Sequence, residues 1–180
     1  MGDSGWISTS MPYLTARERG QGDAWAEEAA ARGGKGGQRI VYAGEVPAPE
    51  EVAVRLGVPA GDTVVVRRRI IELDGVPVEL TDTYYPLTVA RGTRLAETGK
   101  IRGGAVTLLA ELGYVAARVV EDVTACAPEP AEREALRTSA GEPALRLVRT
   151  TSDAEDRPFQ VDVMLMPTGR QGLRYEMRIG

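Results

Sequence analysis

The sequence predicts an α+β domain in which helices flank an antiparallel sheet. Two segments each contain a β-branched run, then an acidic turn, then a second run that follows a proline or glycine. This is the pattern of a β-hairpin. Helical segments separate these hairpins, and no strand–helix–strand spacing repeats in the way that a parallel sheet requires. With 180 residues, 43% of them hydrophobic, the chain is long enough for one packed domain.

The first 38 residues differ from the rest and predict an N-terminal arm. They contain both tryptophans of the chain. A helix is expected over 24–32, with Asp23 as its N-cap. The glycine-rich run 33–37 that follows is typical of a flexible hinge. We therefore expect an arm at 1–38 and a folded domain at 39–180.

The first half of the domain predicts a helix followed by a hairpin. Residues 49–57 predict a two-turn helix, because a proline fits the first helical position and the glutamates after it suit the positive end of the helix dipole. The β-branched run 63–71 predicts a strand. Asp74 and Gly75 form a strong turn signal, and 76–85 returns as the second strand.

The second half repeats this pattern. The expected elements, in chain order, are helices over 87–97 and 104–113, a strand over 115–125, a helix over 129–139, hairpin strands over 144–151 and 159–166, and a last strand over 173–179. Both hairpins consist of a strand, an acidic turn, a proline and a strand. This faint internal repeat predicts a pseudo-symmetric sheet.

The composition excludes several kinds of chemistry. The chain has no histidine, which excludes the Ser-His-Asp triad, the Cys-His dyad and every His-ligated metal site. Its one cysteine, Cys126, excludes an intrachain disulfide and a cysteine-held cluster. Cys126 lies in an apolar run and is expected to be a small buried side chain. We therefore expect no metal site and no cofactor.

Charge and hydropathy indicate where such a chain works. Its 22 basic and 26 acidic residues give a net charge of −4, without the basic excess that is usual in a DNA-binding domain. No segment approaches the roughly 18 apolar residues of a membrane span. The N-terminus lacks the apolar core of a signal peptide. We expect a cytoplasmic protein without membrane association.

Several short motifs, in one order, resemble a known family. They are Pro49-x-x-Val52-Ala53-x-x-Leu56-Gly57, Val64-Val65-Val66-Arg67-Arg68-Arg69, Asp74-Gly75-x-Pro77, Thr83-Tyr84-Tyr85-Pro86, the stretch 104–113, and Arg149-Thr150 before Asp156-Arg157-Pro158. Together they make the segment 39–180 resemble the UTRA domain, the effector-sensing C-terminal domain of HutC-type regulators in the GntR family. Each motif alone is weak, and the resemblance depends on their order and spacing.

The resemblance implies a chorismate-lyase-like fold, a small-molecule pocket over the sheet and a homodimer. Family ligands include sugar phosphates and small carboxylates, and an arginine fork matches the oxygens of both. Family members control an N-terminal winged helix that reads DNA. A winged helix needs about the length of a small domain, more than the 38 residues before the match. We expect no specific DNA binding by this chain alone.

The alternation of strand residues supplies candidate ligand-binding residues. Arg67 and Arg69 lie two apart and share a face, so they are predicted to form an anion clamp; a solvated or interface-facing pair is the alternative. Thr83 on the partner strand takes the place of a common family serine. The candidate set implied by these faces and by the resemblance is Arg67, Arg69, Glu79, Thr81, Thr83, Tyr85, Gln160 and Tyr175.

Two of these positions depart from the sugar-phosphate sensors that the chain resembles. Those sensors tend to have acidic residues where this chain has Thr81 and Gln160, and the loss of both weakens an amino-sugar assignment. Hydroxyl and amide groups still form hydrogen bonds. Glu79 is the first-half counterpart of Gln160, with an ion pair to a nearby arginine as the alternative. Tyr175 either closes the pocket or packs in the core.

Three functions are compatible with these observations. The favoured one is a ligand-sensing, dimerising module of a transcription regulator, in which the effector prefers one arrangement of the dimer. A chorismate-lyase-like enzyme would use the arginines and a carboxylate such as Glu79, but it rests on fold analogy and no acid–base set stands out. An interaction module would form heterodimers with a full-length regulator. We expect no catalytic residues and no enzyme activity.

Overall fold

The computed structural model describes residues 6–15, 24–177 and 179. Its strands are β1 Trp6–Ser8, β2 Gly36–Pro47, β3 Thr63–Leu73, β4 Val76–Pro86, β5 Arg118–Cys126, β6 Ala144–Ser152, β7 Pro158–Pro167 and β8 Gln171–Leu173. Its α-helices are α1 Ala24–Ala31, α2 Glu50–Leu56, α3 Leu87–Ala90, α4 Gly104–Glu111 and α5 Pro130–Leu136, with short 3-10 helices at Met11–Tyr13 and Arg94–Ala96.

Six of the strands form one antiparallel sheet in the order β2-β3-β4-β7-β6-β5. This confirms the predicted fold class. Strands β1 and β8 form a separate parallel pair, which joins Trp6 to Gln171 and Ser8 to Leu173. Within the described residues, no helix is long and apolar enough to cross a membrane.

The sheet consists of two similar halves that meet at β4 and β7. Each half runs strand, helix, hairpin: β2-α2-β3-β4 and β5-α5-β6-β7. The helices end alike, since the residue after each adopts the left-handed conformation, Gly57 with φ 67° and Arg137 with φ 53°. The predicted pseudo-symmetry is therefore present in the topology.

Helices α2 and α5 cover one face of the sheet. Val52 and Leu56 of α2 are buried against Val64 and Val66 of β3, in a cluster that also includes Tyr84. The sequence placed a proline at the first position of α2. Pro49 is instead the N-cap, with ψ 147°. Its fixed φ near −65° suits either position.

The hairpin of β3 and β4 turns where the sequence predicts. Asp74 and Gly75 both have positive φ, 52° and 77°, as a two-residue type I′ turn requires. The Asp74 carboxylate also accepts a hydrogen bond from the Lys35 amide at 2.8 Å. This contact fixes the start of β2 beside the turn.

The structure differs from the expected elements in three places. The helix over 87–97 divides into α3 and a 3-10 helix, because Gly92 between them has φ 73°. The last strand is only Gln171–Leu173, so the expectation of a strand over 173–179 is wrong. Strand β2 was not expected, and it begins at Gly36, inside the glycine run. Asp23, the expected cap of α1, lies outside the described residues.

Helix α1 packs against the domain through tryptophan. Trp25 is buried, and its indole N–H donates to the Glu72 carbonyl at 2.9 Å. Trp6 meets the Trp25 ring edge-on at 4.9 Å between centroids, and the Arg32 guanidinium lies 4.1 Å over Trp6. The described part of the arm is therefore attached to the domain by specific contacts.

Candidate functional site

A cavity of about 520 Å³ lies over the sheet face that α2 and α5 leave uncovered. Strands β3, β4, β6 and β7 provide its floor. The start of α4 forms one wall, and the residues around the first 3-10 helix, together with α1, form another. This volume is within the usual range of small-molecule sites.

The alternation of side chains places the candidate residues on that floor. Across the strands, Arg67 faces Thr83, Arg69 faces Thr81, and Thr83 faces Asp162. Because residues two apart share a face, the polar side chains of three strands converge. The candidates that line the cavity are Arg67, Arg69, Glu79, Thr81, Thr83, Tyr85 and Gln160.

Tyr175 is the one candidate that does not line the cavity. Its strand ends at Leu173, and its side chain is 53% exposed, so neither expected role matches its position. Its hydroxyl hydrogen-bonds Glu121. Partial burial, with that bond, raises the pKa of Tyr175 to about 12.

The guanidinium of Arg67 forms hydrogen bonds within the protein. Its guanidinium donates to the backbone carbonyls of Arg94 at 3.0 Å, Leu95 at 3.1 Å and Gly99 at 3.2 Å, and also to that of Glu97. Only 4% of the residue is exposed, and burial lowers the pKa of the guanidinium. Arg67 therefore anchors the loop after α3, which the predicted clamp did not include.

The guanidinium of Arg69 forms fewer hydrogen bonds than that of Arg67. One terminal nitrogen donates to the Thr83 hydroxyl at 3.0 Å, and the buried Nε has no hydrogen-bond partner in the described part of the chain. Among the described residues, no ion pair involves Arg69 or Arg67. Arg69 thus brings a positive charge and a free donor to the cavity floor.

Asp162 joins β4 and β7 at the centre of the floor. It accepts hydrogen bonds from the Thr83 hydroxyl and from the Gln160 amide, both at 2.7 Å. It is 3% exposed. Asp162 is therefore a buried member of the site.

Glu79 is the second carboxylate of the floor. The Thr81 hydroxyl donates to it, and the Gln171 amide lies 3.4 Å from its other oxygen. Burial raises its pKa, although Thr81 and the charges of Arg69 and Arg149 act in the opposite direction. The ion pair offered as the alternative for Glu79 is absent among the described residues.

The presence of two carboxylates in the cavity changes the argument against an amino-sugar ligand, which was based on the missing acidic residues. Thr81 and Gln160 replace those acidic residues, and each lies two positions from a carboxylate on the same face, Glu79 and Asp162. Each also donates its hydrogen bond to that carboxylate. The cavity therefore keeps two acidic groups, each shifted along its strand.

Arg149 is a cavity residue that the site prediction did not include. Its Nε donates to Glu121 at 2.6 Å, and about a tenth of each side chain is exposed. Burial opposes ionisation of Glu121, but hydrogen bonds from Ser10 and Arg149 lower its pKa overall. Arg149 occupies the position in the second hairpin that Arg67 occupies in the first, so the internal repeat was a signal for it.

The arm also contributes to the cavity. Ser8, Ser10 and Tyr13 line it, as does Trp25 of α1. Nothing in the sequence pattern of the arm indicated this, because its contacts with the sheet depend on the β1–β8 pair. The predicted arm is therefore part of the candidate site.

The cavity has no feature of a metal centre in the part of the chain that the structure describes. There, no group of three acidic, cysteine or histidine residues is arranged to hold a metal ion. Cys126 is half-buried on the edge strand β5, away from the cavity, and burial raises the pKa of its thiol.

Comparison with known proteins gives a consistent result. The family model of the UTRA domain matches residues 31–171. A helix-turn-helix-type transcriptional regulator of Streptomyces coelicolor is 27% identical over 137 residues, which cover 74% of this chain and 51% of the relative. A second, of Rhizobium meliloti, is 29% identical over 143 residues, 78% of this chain and 57% of the relative. The chain thus spans just over half the length of these curated relatives.

Solved structures of regulator domains superpose on this chain, in agreement with the family match. The effector domain of PhnF from Mycobacterium smegmatis superposes with a TM-score of 0.74 at 26% identity, over 86% of this chain and 94% of that one. The ligand-binding domain of a GntR-family regulator from Bordetella bronchiseptica gives 0.70 at 29% identity, over 79% and 92%. The C-terminal domain of a histidine utilization repressor from Pseudomonas syringae gives 0.65 at 21% identity, over 81% and 99%, and shares the fold.

Proposed function

Because the chain belongs to the UTRA domain family, whose solved relatives are effector domains of GntR-type transcription regulators, we propose that its cavity binds an anionic small molecule of the sugar-phosphate or carboxylate class. The observation that carries this proposal is the state of Arg69. It lies on the floor of the cavity and, among the described residues, has no ion pair and a buried donor without a hydrogen-bond acceptor.

The electrostatics favour an anion at this position. A charge-assisted hydrogen bond contributes about 1.5–3 kcal/mol, roughly twice a neutral one. Arg67 adds a second positive charge, although its N–H groups are bound to carbonyls. An oxyanion beside Arg69 would thus complete a hydrogen-bond set that the protein leaves open.

The output follows from the family. We infer that occupancy favours one arrangement of a homodimer, and that the regulator which contains such a domain changes its affinity for DNA accordingly. The charge of −4 supports a division of labour in which this segment senses and another segment or chain contacts DNA. The relatives' length supports the same division.

A direct test is native mass spectrometry of freshly purified chain, followed by thermal unfolding with matched probes. Glucose phosphate and succinate are the anionic probes, and uncharged glucose and succinamide are their controls. We expect at least one anion to raise the melting temperature or a copurified anion to be found. Equal behaviour of anions and neutral controls, with no copurified anion, would contradict the proposal.

A further inference from the structure

We propose that the molecule bound in this cavity carries a basic nitrogen as well as an anionic group, with Arg69 receiving the anion and Glu79 receiving the cation. This inference rests on the proposed function and makes its ligand class narrower. It follows from two opposite charges that lie on one floor, neither of which forms a salt bridge among the described residues.

The first observation is the incomplete neutralisation of Glu79. Its carboxylate is held by the Thr81 hydroxyl and by a long contact of 3.4 Å to the Gln171 amide. Asp162, by comparison, accepts two bonds at 2.7 Å. A buried carboxylate is stable in its charged form only when it is paired or fully hydrogen-bonded. Of the two acidic groups, Glu79 is therefore the one with capacity for a cation.

The second observation is an orphaned acceptor beside it. Gln171 is 4% exposed, and its side-chain oxygen is buried without a hydrogen-bond partner among the residues that the structure describes. Its amide nitrogen is the group that faces Glu79. A ligand ammonium has three N–H donors, which suit the Glu79 carboxylate and the Gln171 oxygen together. A neutral hydroxyl offers one donor and leaves one acceptor unsatisfied.

The spacing defines the length of the ligand. The Arg69 guanidinium is bound at the Thr83 hydroxyl, and the Glu79 carboxylate at the Thr81 hydroxyl. Two residues along one strand are separated by about 7 Å. An anion and an ammonium separated by a spacer of three or four carbons span this distance. The cavity volume leaves room for further groups.

The test uses pairs of probes that differ only in the amine. One pair is ω-aminopentanoate and pentanoate, and the other is aminopropyl phosphate and propyl phosphate. Titration calorimetry of the full chain should show the amine-bearing member of a pair binding about tenfold or more tightly than its partner. In Glu79→Gln the two members should bind alike. Glu111→Gln, on the exposed side of α4, should keep the preference.

A second variant protects the test against a folding defect. Gln171→Leu removes the orphaned acceptor and should reduce the preference for the amine without abolishing binding of the simple acid. Circular dichroism of every variant accompanies the titrations. If Glu79→Gln does not fold, the comparison with Gln171→Leu decides.

The outcomes separate this inference from the proposed function. Equal affinity for both members of each pair, or a preference that survives Glu79→Gln, would contradict the proposal of a zwitterionic ligand. Either result would leave the proposed anion site intact. Binding of none of the probes would overturn the zwitterionic ligand together with the anion site.

Discussion

Arg67 and Arg69 lie two residues apart on one face of β3, yet their guanidinium groups have different tasks. Arg67 is enclosed by four backbone carbonyls of the loop after α3. Within the described ranges, Arg69 has one hydroxyl partner and an unpaired Nε. The strand alternation predicts the shared face but not this division. Arg67 holds the loop that borders the cavity, and Arg69 is available to bind a ligand.

Removal of Arg69 should weaken anion binding with little effect on the fold. Arg69→Gln deletes the charge, and we expect affinity for an anionic effector to fall about tenfold to over a hundredfold. Calorimetric titration measures this. Arg68→Gln is the matched control, because Arg68 lies on the opposite face, exposed and paired with Asp82. Equal losses in both variants would show that the effect is not local.

Removal of Arg67 should act on stability. Arg67→Met leaves buried carbonyls of the 94–99 loop without a donor, and we expect a loss of about 3 kcal/mol in the free energy of unfolding. Urea denaturation gives the value. Arg91→Met breaks an exposed pair with Glu45 and should cost less than about 1 kcal/mol. A similar small loss in Arg67→Met would mean that the loop does not need this anchor.

The pH dependence of stability should identify Glu79. Its pKa in the folded state is raised by burial, so the folded protein holds this proton more tightly than the unfolded chain. Stability then falls as pH rises from the unfolded value, about 4.3, through the raised folded value. Glu79→Gln should remove this fall and be more stable than the unmodified chain near neutral pH. Chemical denaturation across pH 4–8 tests this, and an unchanged slope would contradict it.

Glu121 should have the opposite effect. Its pKa in the folded state is lowered by the bonds from Ser10 and Arg149 despite burial. The stabilisation is therefore complete above the unfolded pKa of about 4.3 and is lost as pH falls through the folded value. Glu121→Gln should lose stability at neutral pH and show a flatter acid limb. Denaturation curves at pH 3 and pH 7 distinguish this from a loss that is independent of pH.

The oligomeric state is a further prediction. We expect a homodimer in solution, as the family resemblance implies. Sedimentation velocity over a range of micromolar concentrations should give twice the chain mass. A single species of monomer mass at every concentration would contradict this prediction.

The fold was predictable where local chemistry and packing agree. The Asp74-Gly75 turn specifies its hairpin, because both residues accept positive φ readily. Strand β2 was hidden because it begins with glycines and has a register shift between Ile40 and Tyr42, which interrupts the alternation. The helix expected over 87–97 is interrupted at Gly92, whose φ of 73° is outside the right-handed helical region.

The sequence predicts which side chains of the site share a face of the sheet, but not the hydrogen bonds that each of them forms. Period-two alternation is sufficient to bring Arg69, Thr83 and Gln160 onto one floor. The partners of each group depend on loops and on the arm, which are distant in sequence. Arg67 binds residues 94–99, and Glu121 binds Ser10. Such contacts leave no local pattern for sequence analysis to detect.

The parallel pair of β1 and β8 gives the domain a mechanical property. A tension applied to the chain at Trp6 pulls along β1 and loads in shear the hydrogen bonds that join Trp6–Ser8 to Gln171–Leu173. Gln171 and Leu173 line the cavity, so the load arrives at its wall. One three-residue joint therefore both attaches the described N-terminal segment and forms part of the cavity lining, so a force on the first is transmitted to the second.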